Sequence, residues 1–237
     1  MKECETIIQK ALREERFSLL PSEAQQIGIF HNIPLPESYI ASNVNEAAAE
    51  AKKIGYPVAL KIVSPTILHK SDAGGVALNI SDDQELRLQY EKMTYQVAKR
   101  EPTAKILGVM VQEMIPPSTE VIIGAIKDSQ FGPSIMFGIG GIFTEIYNDV
   151  AFRVAPIDRI DARNLIHSLK GSRILEGTRG KPTADIEALA KMLVNVSNLV
   201  TEHNAISQLD LNPVMAYSNS VCAVDFKIIL NKKAKEE

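Results

Sequence analysis

Cysteine is scarce in this chain, and the two that occur, Cys4 and Cys222, lie near opposite ends. That is no disulfide framework. A bridge between them stays open as an alternative to the expected pair of reduced, cytoplasmic thiols, and neither cysteine stands at metal-ligand spacing. Long apolar runs are absent too. None approaches the length needed to cross a bilayer, and the opening MKECETIIQKALREE is charged throughout, without the apolar centre of a secretory signal. Positive charge is not in excess: the net charge is −3, so neither a nucleic-acid partner nor a membrane surface is expected. Two common phosphate-binding signatures are also missing. There is no GxxxxGK[ST] loop, and the glycine run at Gly138, Gly140 and Gly141 has Phe143 where a dinucleotide fingerprint needs its third glycine. No repeat, low-complexity linker or break in composition divides the chain.

What is there is ordinary globular material: 237 residues with an apolar fraction of 45%, enough for one large domain or two closely joined lobes. Apolar spacing predicts a helix over 5–15. Ser22 with Gln25 suggests a capping box for a helix to about Phe30, and Ser42 is expected to start an alanine-rich helix ending at Gly55. Pro34 and Pro36 impose an extended link between them. Strands are expected over 57–63 and 76–80, antiparallel to each other, then a helix opened by Asp82 and Glu85 and reaching about Arg100. Strands at 106–114 and 119–127 flank Pro116-Pro117. Helices near 161–169 and 184–203 precede strands at 206–211 and 221–228, with a turn at Ser218-Asn219. Helices mixed with largely antiparallel strands make this an α+β chain rather than a regular βαβ alternation.

Several residues invite chemistry. Lys61 lies inside the apolar run VALKIV. A buried ammonium is costly without an anion, so Lys61 reads as a point charge for phosphates; an edge-strand lysine, or one that snorkels to water, is the competing reading. The loop after it carries His69 and Asp72 and ends in Gly74-Gly75, a pair that lets the backbone approach a ligand closely. His69 suits a nucleophile or base but equally an ordinary surface histidine, and no second histidine or cysteine is nearby in sequence to make a metal site. Glu113 ends one strand and Glu120 opens the next, a placement that suits a nucleotide hinge or simply the polar ends of a turn. Gly140 and Gly141 offer either a backbone cradle for an anion or a plain turn, with Glu145 and Arg153 following.

The segment LDLNP places Asp210 and Asn212 on one strand face. If Tyr217 pairs with Ser220 across the turn, the same antiparallel register sets Asn212 directly opposite Asp225. Oxygen ligands so arranged suit Mg2+, unless Pro213 shifts the register or the group is only a polar hairpin end.

In this order, YPVALKI, HKSDAGGV, QEMI, FGIGGIFTEIYNDVAFRVAP and LDLNPV resemble the ATP-grasp fold. The resemblance runs from about Leu20 onward. It is nearest to the β subunits of ADP-forming acyl-CoA synthetases, including the acetyl-CoA enzymes, and reaches more distantly to the succinyl-CoA synthetase β subunit. HKSDAGGV is its most diagnostic segment. The resemblance implies two lobes with largely antiparallel sheets gripping a nucleotide: an N-terminal helix at 1–20, a first lobe at 21–112 and a second at 113–237. It implies that Lys61 contacts the phosphates of ADP or ATP, that Gly74 and Gly75 belong to the loop over them, that Glu113 lies at the adenine hinge and that Glu120 faces the ribose. Asn212 and Asp225, with Asp210 close by, match the magnesium-binding pair. Arg153, Gly140 and Gly141 border the transferring phosphate, and His69 matches a histidine that carries phosphate between two sites. The implied partner is a CoA-binding α subunit with its own phosphohistidine, in an α2β2 heterotetramer. Two rivals remain at this point: a self-contained ATP-grasp carboxylate ligase, and a regulatory nucleotide-binding subunit without phosphotransfer. The chain offers no role for the segment 176–182, EGTRGKP.

Overall fold

The computed structural model describes residues 2–67, 70–141, 148–177 and 183–232. In chain order its first elements are α1 (Lys2–Arg13), α2 (Pro21–Phe30), β1 (Ser38–Ala41), α3 (Val44–Ile54), β2 (Val58–Val63), β3 (Val76–Ile80), α4 (Asp83–Arg100) and β4 (Gly108–Glu113). There follow β5 (Thr119–Asp128), β6 (Gly132–Ile139), β7 (Val150–Val154), α5 (Arg159–His167), a 3-10 turn (Ser172–Glu176), α6 (Ile186–Glu202), β8 (Ile206–Ala216), β9 (Val221–Ala223) and β10 (Phe226–Leu230). The elements fall into two compact units, one of Met1–Leu19, Glu23–Leu35 and Pro117–Glu237, the other of Leu20–Ser22 and Pro36–Pro116.

The smaller unit is a four-stranded antiparallel sheet in the order β1-β4-β2-β3. Alternation sends Leu60 and Ile62 of β2, with Val109 and Val111 of β4, into a core closed by Ala47 and Ala51 of α3 and Leu86, Met93 and Val97 of α4. Local chemistry fixes where those helices begin. The Asn43 side chain accepts hydrogen bonds from the Asn45 and Glu46 amides at 3.1 and 3.0 Å, so Asn43 caps α3, not Ser42. The Ser42 amide instead donates to Glu46 Oε2 at 2.7 Å. Gly55, at φ +94°, ends the helix after the basic pair Lys52-Lys53. Asp82 caps α4 by accepting from the Glu85 amide at 2.8 Å.

The larger unit holds a six-stranded sheet in the order β10-β8-β5-β6-β7, with β9 paired to β8. Val121, Ile123, Ile135, Phe137, Leu209, Leu211 and Ile228 point to one face. There they meet Leu165 of α5, Leu189, Leu193 and Val196 of α6, and Ile8, Leu12, Ala24 and Ile27 of α1 and α2. Fully burying Phe137 alone contributes about 1.5–3 kcal/mol. Residues 17–19 run along the outer side of β10, where the Leu230 amide donates to Phe17 O at 2.8 Å and the Leu19 amide to Ile228 O at 3.0 Å. Arg16 and Glu23 form a bidentate pair, both contacts at 2.7 Å, that fixes the chain between α1 and α2.

Four sequence expectations differ from this arrangement. Helix α2 starts at Pro21, so Ser22 lies inside it and is no cap. Strand β1 forms in what read as an extended link, and β6 and β7 form in a stretch read only for its glycines. Residues 1–19 and 23–35 group with 117–237, because the buried sides of α1 and α2 belong to the core of the six-stranded sheet. Among the described residues, no helix is long and apolar enough to cross a membrane.

Candidate functional site

In the four-stranded sheet, β2 lies between β4 and β3, so Lys61 is not on an edge strand. It pairs with Val76 on one side and Met110 on the other, and is 7% exposed. Leu60 and Ile62 face the helices. Lys61 therefore shares the opposite face with Ala59, Met110 and Gln112, all of them buried.

The loop between β2 and β3 returns through a tight turn. Gly74, at φ +74°, donates to Ser71 O at 3.0 Å; Gly75 donates to Lys70 O at 2.7 Å, and its own carbonyl accepts from the Ile62 amide at 2.8 Å. A Cβ on Gly75 would stand 2.7 Å from Ile62 Cγ2. The double glycine thus has a packing reason beside any ligand reason. Arg100 Nη1 donates to Asp72 O at 2.9 Å, tying the turn to α4. His69 lies outside the described residues. Glu113 closes β4, where its carboxylate accepts from the Glu37 amide at 3.3 Å and its amide donates to Glu37 O at 2.9 Å.

In the six-stranded sheet the hairpin register is the one expected from the turn. The Tyr217 amide donates to Ser220 O at 2.9 Å, Val214 pairs with Ala223, and Phe226 pairs with Leu211. Between these pairs the Asn212 amide donates to Asp225 O at 3.2 Å and the Val224 amide to Pro213 O at 2.9 Å. Pro213 leaves that register intact; the shift it was suspected of causing falls on the other side of β8, against β5, between Val121 and Ile123.

Leu209 and Leu211 face the core, so Asp210 lies on the opposite face, and the same alternation carries Glu120 there on β5. The Asp210 carboxyl is pushed above its ordinary range, first by burial and then by the negative charge of Asp225, while its cross-strand neighbour Lys227 pulls the other way. Two carboxylates and an amide oxygen gathered at one hairpin, with one carboxylate reluctant to ionise beside the other, are the donor set that a hard divalent cation relieves.

Gly140 continues the β5–β6 ladder, its amide donating to Glu120 O at 2.8 Å. A Cβ there would lie 2.8 Å from Glu120 Cβ, so close strand approach explains this glycine. Gly141, at φ +63°, turns the chain out of the strand. Arg153 is not brought to the acidic group. Its neighbours at two-residue spacing, Ala151 and Ala155, pack against the core, which puts Arg153 on the helix-covered face at the exposed edge strand β7. Glu145, Arg179 and Lys181 lie outside the described residues. One buried carboxylate had no signal in the sequence: Asp149 accepts from the Lys170 and Gly171 amides at 3.0 and 2.7 Å and pins the turn after α5.

One unit carries a lysine on an inner strand and the other a carboxylate hairpin, the pieces expected of an ATP-grasp protein. A sequence model of the ATP-grasp domain matches residues 10–230, and the chain belongs to this family, among the β subunits of ADP-forming acetate–CoA ligases. The β subunit of acetate–CoA ligase [ADP-forming] I from Pyrococcus furiosus is 47% identical over 224 residues, covering 94% of this chain and 96% of that one. A solved acetyl-coenzyme A synthetase 1 from Candidatus Korarchaeum cryptofilum, in complex with coenzyme A and Ca-AMPCP, superposes with a TM-score of 0.94 at 42% identity, covering 95% of this chain and 99% of that one. Another structure of that synthetase holds coenzyme A and Mg-AMPPCP, with its phosphohistidine segment pointing towards the nucleotide binding site. It superposes with a TM-score of 0.85 at 38% identity, covering 96% and 100% of the two chains.

Proposed function

We propose that this chain is the nucleotide-binding β subunit of a cytoplasmic ADP-forming acyl-CoA synthetase, an acid–thiol ligase that works with a separate CoA-binding α subunit in an α2β2 assembly. The observation that carries this reading is the end-to-end match with β subunits of ADP-forming acetate–CoA ligases, with almost nothing of either chain left over. In the direction of ATP synthesis, acyl-CoA, ADP and phosphate give the free acid, CoA and ATP.

His69 serves as the relay. A lone pair on its neutral imidazole attacks the phosphorus of a phosphohistidine on the α subunit; the new N–P bond forms as the old one breaks, and the donor imidazole leaves. The terminal phosphate oxygen of ADP then takes the phosphoryl group from His69, restoring the neutral ring. One side chain does not span two distant pockets, so the relay requires movement of the loop that carries His69. Lys61 provides a fixed positive charge for the nucleotide phosphates. Gly74 and Gly75 form the turn that follows His69, while Gly140 and Gly141 are assigned to the border of the transferring phosphate; Arg153, on the opposite face of its sheet, is left out of the site. Glu113 holds the adenine edge and Glu120 a ribose hydroxyl.

Asp225, Asn212 and Asp210 would hold Mg2+, which when bound neutralises charge on the nucleotide phosphates. The register that brings Asn212 opposite Asp225 and the raised pKa of Asp210 support this assignment. In the Korarchaeum synthetase a magnesium nucleotide analogue and a phosphohistidine segment turned toward the nucleotide site support the relay.

The test is chemical. Incubated with γ-labelled ATP and Mg2+, the chain should acquire acid-labile, base-stable label, and His69→Ala should acquire none. Nucleotide binding without any such label would contradict the relay and leave the two rivals, a self-contained carboxylate ligase and a regulatory subunit.

A further inference from the structure

Far from the magnesium residues, on the helix side of the six-stranded sheet, three metal-binding side chains from three helix ends meet. Cys4 comes from the first turn of α1, His31 directly follows α2, and His203 caps the C-terminus of α6. Their ligand atoms all lie within 4.8 Å of one another. Cys4 is fully buried and His203 is 4% exposed.

The two imidazoles face each other through Nε2, at 3.3 Å, with ring planes at 83°. A hydrogen bond between those nitrogens does not satisfy the group. Whichever ring carries the proton, His203 Nδ1 is buried without a hydrogen-bond partner, and its nearest acidic neighbour, Glu5 Oε2, stands off at 3.6 Å. A shared cation resolves this. Two imidazole nitrogens bound to one tetrahedral zinc ion stand about 3.3–3.4 Å apart, since each bond is about 2.0–2.1 Å long. The observed separation is that edge length.

We propose that Cys4, His31 and His203 form a site for a thiolate-preferring d10 cation, zinc in the first place, which ties α1 to the ends of α2 and α6. The thiolate and two imidazoles supply three ligands, and a water takes the fourth position. Closing the sulfur onto the cation would take a shift of the Cys4 side chain from its present position. With Nε2 on the metal, His203 carries its proton on Nδ1, and Glu5 Oε2, 3.6 Å away, would need to close in to serve as the outer-shell acceptor that metal-bound histidines use. A metal-bound cysteine is a thiolate, so binding would release the Cys4 proton to solvent.

The site differs in chemistry from the oxygen donors at Asp210, Asn212 and Asp225, and excess Mg2+ should not compete for it. The test is a Co2+ titration of the chelator-treated full chain with Mg2+ in excess. One equivalent should give tetrahedral visible bands and a thiolate-to-cobalt charge-transfer band in the near ultraviolet, both displaced by one equivalent of Zn2+, with a rise in Tm. Cys222→Ser should keep the charge-transfer band and Cys4→Ser should lose it. His31→Gln, at a half-buried position that tolerates the change more easily, should weaken Co2+ binding at least tenfold. Absence of the band at one equivalent, its survival in Cys4→Ser, or unchanged affinity in His31→Gln would each overturn the proposal.

Discussion

The two sheets treat their polar residues in opposite ways. In the four-stranded sheet Lys61 sits on an inner strand, buried, with apolar neighbours on both sides. In the six-stranded sheet Asp210, Asn212 and Asp225 gather at a hairpin where Asn212 is exposed and the two aspartates are partly so. The first placement takes an ammonium largely out of water, where burial disfavours the charged form. The second half-buries a carboxyl beside another carboxylate, and burial first, then the charge of Asp225, raises the pKa of Asp210. In the proposed function the first group would meet nucleotide phosphates and the second Mg2+. A buried ammonium in one unit and a carboxyl pushed off its ordinary pKa in the other are each a pointer to a binding function.

The sharpest way to break this contrast is Lys61→Met, which keeps length and apolar contact but removes the charge. It should fold and melt close to the parent, yet lower ATP formation by about 100-fold or more, the scale for losing one fixed group that stabilises developing charge. A fully active variant would make Lys61 a packing residue only.

On the other sheet, Asp225→Ala should weaken magnesium–nucleotide binding about tenfold, or about 1.4 kcal/mol, measured by calorimetry with Mg2+ in excess. Unchanged affinity would remove the hairpin from the site.

Between the two in kind is Gly75→Ala, which should cost about 1–3 kcal/mol of stability because the new methyl meets Ile62. Denaturant unfolding reads this directly, and a neutral result would show that the loop turn has slack.

The smallest effect is a pH slope. Asp210 has a raised pKa in the folded state, so between the ordinary carboxylate value and the raised one the native protein holds the extra proton. Stability from this group is therefore full at low pH and is lost as pH rises through the folded pKa. In magnesium-free buffer Asp210→Asn should flatten that slope and raise Tm slightly at neutral pH. Added Mg2+ should stabilise the parent more at pH 7 than at pH 5. Equal stabilisation at both would separate Asp210 from the cation.

Much of this was legible in the chain where local chemistry decides. The hairpin register followed from a two-residue turn, and Asp82 was readable as a helix start because a short acceptor stands directly before the apolar pattern. Where two acceptors compete, as at Ser42 and Asn43, spacing did not say which would cap. Strand β6 hid behind Gly132, Pro133 and Gly138, and β7 behind its brevity at the edge. That Lys61 lies on an inner strand is a matter of sheet order, set by β4 pairing some fifty residues away, and no local pattern carries it. The same holds for Arg153, whose face is decided by its β6 partner, and for the grouping of α1 and α2 with the later sheet. The Cys4–His31–His203 cluster has no sequence spacing at all; three helix ends create it.

In the proposed relay His69 carries phosphate to the bound nucleotide. The direct measurement is ATP formation from acetyl-CoA, ADP and phosphate by the chain co-expressed with a CoA-binding α subunit, run beside His69→Ala with nucleotide affinity measured on both. The parent should form ATP, and the variant should bind the magnesium nucleotide normally but form no ATP above background. A His69→Ala chain that turns over at the parental rate would contradict it.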